Sequence, residues 1–591
     1  MSGEAGLVIG ARQANWLLVR ASTPDGPAWL AAEMTGQVTV SPGPSLDVTR
    51  PMDRVSLSDA LVPARHVLAG LTDDLVRDLY VTAAAAEAAG IARWAVETAT
   101  AYAKVRVQFG RPIGAFQAIK HLCADMLARS EMAAAAAWDA AAAATAYLRE
   151  AGDETRRQLS VAACAAGAVA LQDAVTNGKD CIQVLGGIGM TWEHDAHLSL
   201  RRAMTLRATC GGTSRWRARV ADLGRGRLRR QWPVSVADAS PDTRPKVRAV
   251  LDWLPEDPRE RRVALADAGL VAPQWRRPYG LGASPAEQLV IAEELRRAGI
   301  GLPDLVVGNW AVPTIIEFGS DAQRERFVRP TLRGEIAWCQ LFSEPGAGSD
   351  LASLRTRAVR VDGGWSLTGQ KVWTSMARDA DWAICLARTS PGVPNHKGIT
   401  YFLVDMKTPG IDVRPLREIT GDAIFNEVFL DDVFVPDDMV VGDVDGGWRL
   451  ARATLSSERV AIATGSRLGH GLDELLAEMR PEPVLDDQLG ELIARGQVAR
   501  ALGQQITLRQ VQGLEPGAAA SIRKLVTSPL NQDATELAIT AMGTAGTDLT
   551  DPKAAARAHA FMLTRSGTIA GGSSQVLRNI IAERLLGLPR D

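Results

Sequence analysis

Between residues 364 and 419 the chain alternates apolar and polar positions in short runs, "WSLTGQKVWTSMA", "WAICLA", "GITYFLVDM" and "IDVRPLREI". Two-residue periodicity, β-branched and aromatic enrichment and turn residues between the runs predict antiparallel strands. Residues 73–229 and 446–588 follow another rhythm. There alanine and leucine recur at helical spacing over long stretches, which predicts packed helices. A further helical stretch, 246–334, leads into the second β-region and has no counterpart ahead of the first.

The order of elements repeats. "ARQANWLLVRAST" is similar to "ARDADWAICLARTS", and "MDRVSLSDALVPARHVL" to "NEVFLDDVFVPDDMVVG", with Val55 and Pro63 matching Val428 and Pro436. The stretches "QVLGGIGMTWEHDAHLSLRRAMTLRATCGGTSRWRARV" and "TAMGTAGTDLTDPKAAARAHAFMLTRSGTIAGGSSQVLRNI" end in equivalent glycine turns, Gly211-Gly212 and Gly571-Gly572. Self-similarity on this scale predicts two fused units, the first lacking its front end, and not a solenoid. The expected layout is α+β. Residues 1–68 form a partial β-domain and 69–229 a helical bundle, and 230–245, basic and aperiodic, form a linker. In the second unit 246–336 form a helical domain, 337–441 a β-domain and 442–591 a second bundle.

Composition narrows the class. At 591 residues the chain exceeds one core, and its 46% apolar and 23% charged content is that of a globular protein. A net charge of −2 gives no basic field, so nucleic acid is not an expected partner. The cysteines form no C-x-x-C pair and read as small buried residues in a reducing compartment. No secretion signal opens the chain, and "AAAAAWDAAAAATAYL", broken by Asp139, reads as a packed helix and not a membrane span. A cytoplasmic location is expected. His194 and His197 share a helix face but lack further ligands nearby, so no metal site is expected.

With these motifs placed, both units resemble acyl-CoA dehydrogenases. "LFSEPGAGSDLASLRTRA", "LTGQKVWTSMARDADWAICLAR" and "RNIIAERLLGLPR" carry the resemblance in the second unit, and "VRVQFGRPIGAFQAIKHLCADM" and "QVLGGIGMTWEHDAHLSLRRA" in the first. The resemblance implies a helical N-terminal domain, a middle β-barrel or sandwich domain and a C-terminal four-helix bundle, here as one truncated and one complete tandem copy. It implies FAD, with hydride leaving the substrate β-carbon for flavin N5 while a carboxylate takes the α-proton. It places Gln340, Phe342, Ser343 and Ser349 on one side of the flavin and Trp373, Thr374 and Ser375 on the other. In this family the ADP half is held by an R-x-x-F-G turn, a downstream Gln and a Q-x-x-G-G-x-G loop. Only the first unit supplies these, as Arg106, Phe109, Gln117, Gln183, Gly186 and Gly187. The second unit has Thr540 in place of Gln183, and the first lacks "EPGAGSD" and "WTS". Each unit keeps what the other lacks, which implies one FAD per chain.

The base is displaced. Most members carry a catalytic glutamate in the loop "Y-E-G-T". The equivalents here are Ala570-Gly571-Gly572-Ser573 and Cys210-Gly211-Gly212-Thr213, without a carboxylate. A minority, resembling isovaleryl-CoA and long-chain enzymes, use an earlier bundle helix, and there the second unit has Glu458 in "ATLSSERVAIATGSRLG". Counting back from "VRVQFG" puts the first unit's equivalent near Tyr80, a poor base. The resemblance further implies that Gly571 N–H donates to the thioester carbonyl and that Ser573 and Gln575 contact FAD.

The small side chains of the turn leave room for a bulky acyl group. A paired active and degenerate unit also resembles the fused two-unit actinobacterial type acting on sterol side-chain CoA thioesters. The expected partners are an acyl-CoA substrate, electron-transfer flavoprotein as acceptor, and a second copy in a homodimer of two-unit chains. An acyl-CoA oxidase of the same fold and a non-catalytic scaffold protein stand as alternatives.

Overall fold

The computed structural model describes residues 1–232, 241–464, 474–479, 481–511 and 518–590. In the first unit β1 (Gly3–Ile9), β4 (Val38–Ser41) and β5 (Met52–Leu57) form a sheet in the order β1-β5-β4, while β2 (Trp16–Thr23) and β3 (Gly26–Glu33) pair as a hairpin. Five helices follow, with a short hairpin of β6 (Val107–Gln108) and β7 (Arg111–Pro112) between the first two: α1 (Asp73–Val105), α2 (Gln117–Arg149), α3 (Asp153–Leu185), α4 (Ala196–Thr209) and α5 (Thr213–Arg225). Thr72 caps α1 by accepting from Leu75 N–H, and Asp73 and Asp74 suit the positive end of its dipole. Alanine-rich faces let α1, α2 and α3 approach closely: Ala85, Ala88, Ala133, Ala163 and Ala166 are all fully buried. Among the described residues one stretch, from Asp153, is long and apolar enough to cross a membrane, and 89% of its apolar window is buried inside the chain.

Asp139, which breaks the alanine run on α2, is 2% exposed and accepts from Arg230 Nε at 2.8 Å and Trp232 Nε1 at 2.7 Å. The segment expected to open the linker is therefore docked on the first bundle by a buried ion pair. Its continuation, 233–240, lies outside the described residues, and α6 (Thr243–Leu251) already starts the next domain.

The second unit adds α7 (Pro258–Asp267), α8 (Pro285–Arg297), α9 (Gly308–Phe318) and α10 (Asp321–Arg333), with Ser284/Glu287 and Ser320/Gln323 capping boxes fixing the starts of α8 and α10. An eight-stranded sheet follows. Its strands are β8 (Trp338–Leu341), β9 (Arg357–Val361), β10 (Gly364–Ser375), β11 (Trp382–Arg388), β12 (Ile399–Asp405), β13 (Ile411–Pro415), β14 (Phe425–Pro436) and β15 (Val440–Val441). The order is β13-β14-β10-β9-β11-β12-β15, with β8 parallel to β11. The four runs of alternating residues are β10, β11, β12 and β13. The chain ends in α11 (Gly447–Thr464), α12 (Pro483–Val511), α13 (Ala518–Thr540), α14 (Pro552–Thr564) and α15 (Ser574–Ile580).

The two units share a core. Leu489, Leu492, Val498 and Leu502 of α12 lie in one buried cluster with Val81, Leu159, Leu171 and Val220 of the first unit. Arg495 pairs with Asp173 at 2.9 Å, and Arg217 with Asp487 at 3.0 Å. At the other end Ala582 and Leu588 pack among Ala95, Cys123 and Met126. Lys120 Nζ meets Glu583 at 2.9 Å, His121 meets Asn579 at 3.0 Å, and Arg578 meets Asp125 at 2.8 Å. These pairs run in opposite directions along the two segments, so the C-terminal segment lies antiparallel to α2.

Candidate active site

The predicted flavin-lining residues sit where β8 runs out of the sheet. Phe342 is 2% exposed and packs edge-on against Tyr401, with ring centroids 5.9 Å apart. The loop that follows, "SEPGAGSD", is held by Glu344. Its carboxylate accepts from the backbone N–H groups of Arg355 at 2.6 Å and Thr356 at 2.9 Å, and from Lys371 Nζ at 2.9 Å. Lys371 is fully buried and also donates to the carbonyls of Phe342 and Leu386. Burial by itself raises the Glu344 carboxyl, but the Lys371 ammonium and the neighbouring donors outweigh it and hold the group below its ordinary value. Ser343 is half-buried and Ser349 exposed on this loop.

Opposite it, β10 breaks register with β14 between Lys371 and Thr374. Such a bulge re-aims side chains. Trp373, at φ 61°, is 58% exposed as a result, and Met376 is also left-handed at φ 56°. Thr374 is buried and its Oγ1 has no hydrogen-bond partner among the described residues. Ser375, next along, is half-buried. The bulge thus sets a left-handed, solvent-facing tryptophan beside a buried hydroxyl without a partner among the described residues.

Glu458 lies on α11 and is 9% exposed. Gln340 Nε2 approaches its Oε2 at 3.4 Å, while Gln340 Oε1 accepts from Trp310 Nε1 at 2.6 Å. The structure therefore brings together a predicted flavin-lining residue and the predicted base. One turn earlier Thr454 fixes the helix: its hydroxyl meets Thr314 Oγ1 at 2.8 Å and Tyr401 OH at 3.2 Å. In the first unit the residue expected in this place, Tyr80 on α1, hydrogen-bonds Thr209, next to the first glycine turn, at 3.2 Å, and burial raises its phenol above the ordinary value.

The glycine turn holds Gly571 at φ 62° and Gly572 at φ 95°. Gly571 N–H donates to no acceptor among the described residues. Ser573 is committed to capping α15 by accepting from Val576 N–H at 3.4 Å, and Gln575 is exposed. Arg106, Gln117, Gln183, Gly186 and Gly187 are exposed on the first unit, and Phe109, left-handed at φ 53°, is 91% exposed. Gly186 and Gly187 have open space where a Cβ would stand. The antiparallel docking puts the Gln117 end of α2 near Leu588 and the glycine turn toward the Ala128 end. Both sets thus lie along one seam between the units, at opposite ends. Of the two histidines, His194 Nδ1 accepts from Ala196 N–H at 3.0 Å and His197 packs on Trp192 at 4.3 Å.

The acyl-CoA dehydrogenase N-terminal domain matches residues 242–335 and the middle domain 339–433. The C-terminal domain matches twice, at 82–222 and 445–586. The chain belongs to the acyl-CoA dehydrogenase family. Acyl-CoA dehydrogenase FadE34 of Mycobacterium tuberculosis is 52% identical over 593 residues, spanning 100% of this chain and 81% of that one. Acyl-CoA dehydrogenase IpdE1 of the same organism is 38% identical over 346 residues, 57% of this chain and 89% of its own. Among solved structures, the Tcur3481-Tcur3483 steroid ACAD superposes with a TM-score of 0.50 at 29% identity, covering 64% of this chain and 98% of that one. Members of the family are FAD-dependent oxidoreductases, and the doubled C-terminal domain agrees with a tandem arrangement.

Several residues that build the site carry no motif of their own. Trp310, which holds Gln340, and Thr454 come from helices whose pairing sequence does not show. Lys371 stands inside "GQKVW" and Glu344 inside "SEPGAG", so a buried pair could have been sought there.

Proposed function

We propose that this chain desaturates a bulky acyl-CoA between the α- and β-carbons, with a steroid-CoA bearing a short side chain as substrate, and that Glu458 removes the α-proton. The observation that carries this reading is the buried Glu458 carboxylate against Gln340, in a unit whose glycine turn has no carboxylate of its own. The likeness to the Tcur3481-Tcur3483 steroid ACAD supports the substrate class.

The residues fit FAD. The orphaned Thr374 hydroxyl, Trp373 and Ser375 would hold the flavin from one side, and Gln340, Phe342, Ser343 and Ser349 from the other. Ser573 and Gln575 would follow it along the seam between the units. Arg106, Phe109, Gln117, Gln183, Gly186 and Gly187 would hold the ADP half, with the charged guanidinium on the pyrophosphate. FAD, when bound, accepts the β-hydrogen as hydride. Every other part of the reaction belongs to the chain. Removal of the α-proton develops negative charge on the thioester oxygen, and Gly571 N–H, without an acceptor among the described residues, would meet it. Glu458 takes the proton from the same carbon, fixed in place through Thr454 and Gln340. The proton ends on its carboxylate. Electron-transfer flavoprotein is the proposed acceptor and a homodimer of two-unit chains the proposed assembly.

The test is anaerobic flavin reduction by steroid-CoA thioesters. Glu458→Gln should keep FAD and lose reduction by on the order of 10²-fold or more. Unchanged reduction in that variant removes Glu458 as the base, and a chain that binds no FAD removes the whole reading.

A further inference from the structure

The two glycine turns are both left-handed, Gly211 at φ 82° and Gly212 at φ 80° against Gly571 at φ 62° and Gly572 at φ 95°, and they differ in what anchors them. Aligning the paired glycines matches Ala570 to Cys210 and Val576 to Trp216, and aligning "AMGTAG" with "VLGGIG" matches Lys524 to Gly167. Lys524, 4% exposed on α13, donates from Nζ to the carbonyls of Ala570 and Gly572, the second at 2.7 Å. In the first unit a Cβ at Gly167 would stand 2.7 Å from the Trp216 ring. Trp216, 1% exposed, occupies that space and donates from Nε1 to the Cys210 carbonyl at 3.0 Å. The same carbonyl is held in both units, by an ammonium in one and by a neutral indole in the other.

That difference follows the chemistry. The ammonium is in the unit with Glu458, and the indole is in the unit whose expected counterpart is Tyr80, a poor base. A neutral N–H suffices to hold the turn, as Trp216 does, and a buried ammonium is costlier than an indole, so holding the turn does not by itself call for a lysine. In a trans peptide the C=O and N–H point in opposite directions. With the Ala570 carbonyl turned onto Lys524, the N–H of Gly571 in the same peptide points away from α13.

We propose that Lys524 is the positioning residue of this turn. It fixes the Ala570–Gly571 peptide so that Gly571 N–H is preorganised for the thioester oxygen, and its charge polarises that peptide as negative charge develops. The Gly167/Trp216 pair is the neutral form of the device in the unit without a base. The inference rests on the functional reading above and deepens it.

The experiment uses the FAD-loaded chain with Lys524→Met and Lys524→Gln. Two readouts are taken: the rate of flavin reduction by a steroid-CoA thioester, and the isotope-edited carbonyl stretch of a bound α,β-unsaturated CoA product. Both variants should lose about tenfold or more in reduction rate, with KM unchanged. The carbonyl stretch should move toward the free thioester's value. If Lys524→Met does not fold, Lys524→Gln gives the same reading, since its shorter neutral amide cannot hold both carbonyls. Wild-type rates, or a slowed rate with an unmoved stretch, overturn the proposal while leaving Glu458 untouched. A wild-type flavin that no CoA thioester reduces overturns the functional reading first and this inference with it.

Discussion

Gly490→Ala should weaken the seam between the two units, against the usual effect of that substitution. In an open helix position, alanine for glycine stabilises by about 1 kcal/mol. On α12, however, a Cβ at residue 490 would stand 2.0 Å from the Arg217 carbonyl oxygen and 2.5 Å from its carbon. Both are backbone atoms of α5, so no rotamer change relieves the clash. Returning the contact to 3.0 Å means moving the helices apart by about 1 Å, since 3.0 minus 2.0 is 1.0. A gap of that size forfeits up to about half of each dispersion contact across it. The neighbours that lose them are fully buried or nearly so: Leu489, Leu492, Val498 and Val220. The Arg217 pairs with Asp487 at 3.0 Å and Glu491 at 3.1 Å straddle the same crossing. Overpacking of this kind costs about 1–3 kcal/mol, more than the helix gain. Gly503→Ala is the control on the same helix, because its nearest neighbour would be Arg523 Cζ at 3.9 Å. Thermal unfolding of the holoprotein followed by circular dichroism, with flavin fluorescence reporting release, should show Gly490→Ala melting lower and Gly503→Ala higher than the parent. If both variants melt higher by the same amount, α12 and α5 are not in contact in solution and the shared core is wrong.

Lys371→Met should destabilise the β-domain by about 3–5 kcal/mol at neutral pH, because it leaves the buried Glu344 carboxylate without its cation. In the parent, Glu344 is held below its ordinary 4.5, so its contribution is present above that value and is lost as pH falls through the lowered one. In the variant the Arg355 and Thr356 N–H donors still oppose burial but the ammonium is gone, so the lowering shrinks and less stability is lost on acidification than in the parent; denaturant titrations at several pH values check this. Thr374→Val should leave the apo chain as stable as the parent or more so, since the hydroxyl it removes is buried without a partner. It should still weaken FAD binding, measured by titration of the apo chain, and unchanged affinity would remove Thr374 from the cofactor's site.

Much was legible along the chain because it is written in local order. Two-residue alternation marked β10 to β13, alanine spacing marked the long helices, and repeated motifs separated the units. Those signals come from each segment's own burial pattern and survive without knowledge of its neighbours. Glu458 was reached through resemblance, since a glutamate in a helix has no distinguishing pattern. Only the tertiary structure placed it against Gln340, and only it showed Tyr80 bonded to Thr209 beside the first glycine turn. The docking of Arg230 and Trp232 on Asp139 turned the start of an expected linker into part of a core. Likewise Lys524 and Gly167 say nothing in sequence. Their meaning depends on what each helix meets much further along the chain, with Ala570 lying 46 residues beyond Lys524 and Trp216 49 beyond Gly167. Local periodicity decides which elements form, because each residue's burial repeats with its helix or strand. Long-range packing decides which polar groups meet, because those contacts depend on the angles and separations at which the elements dock.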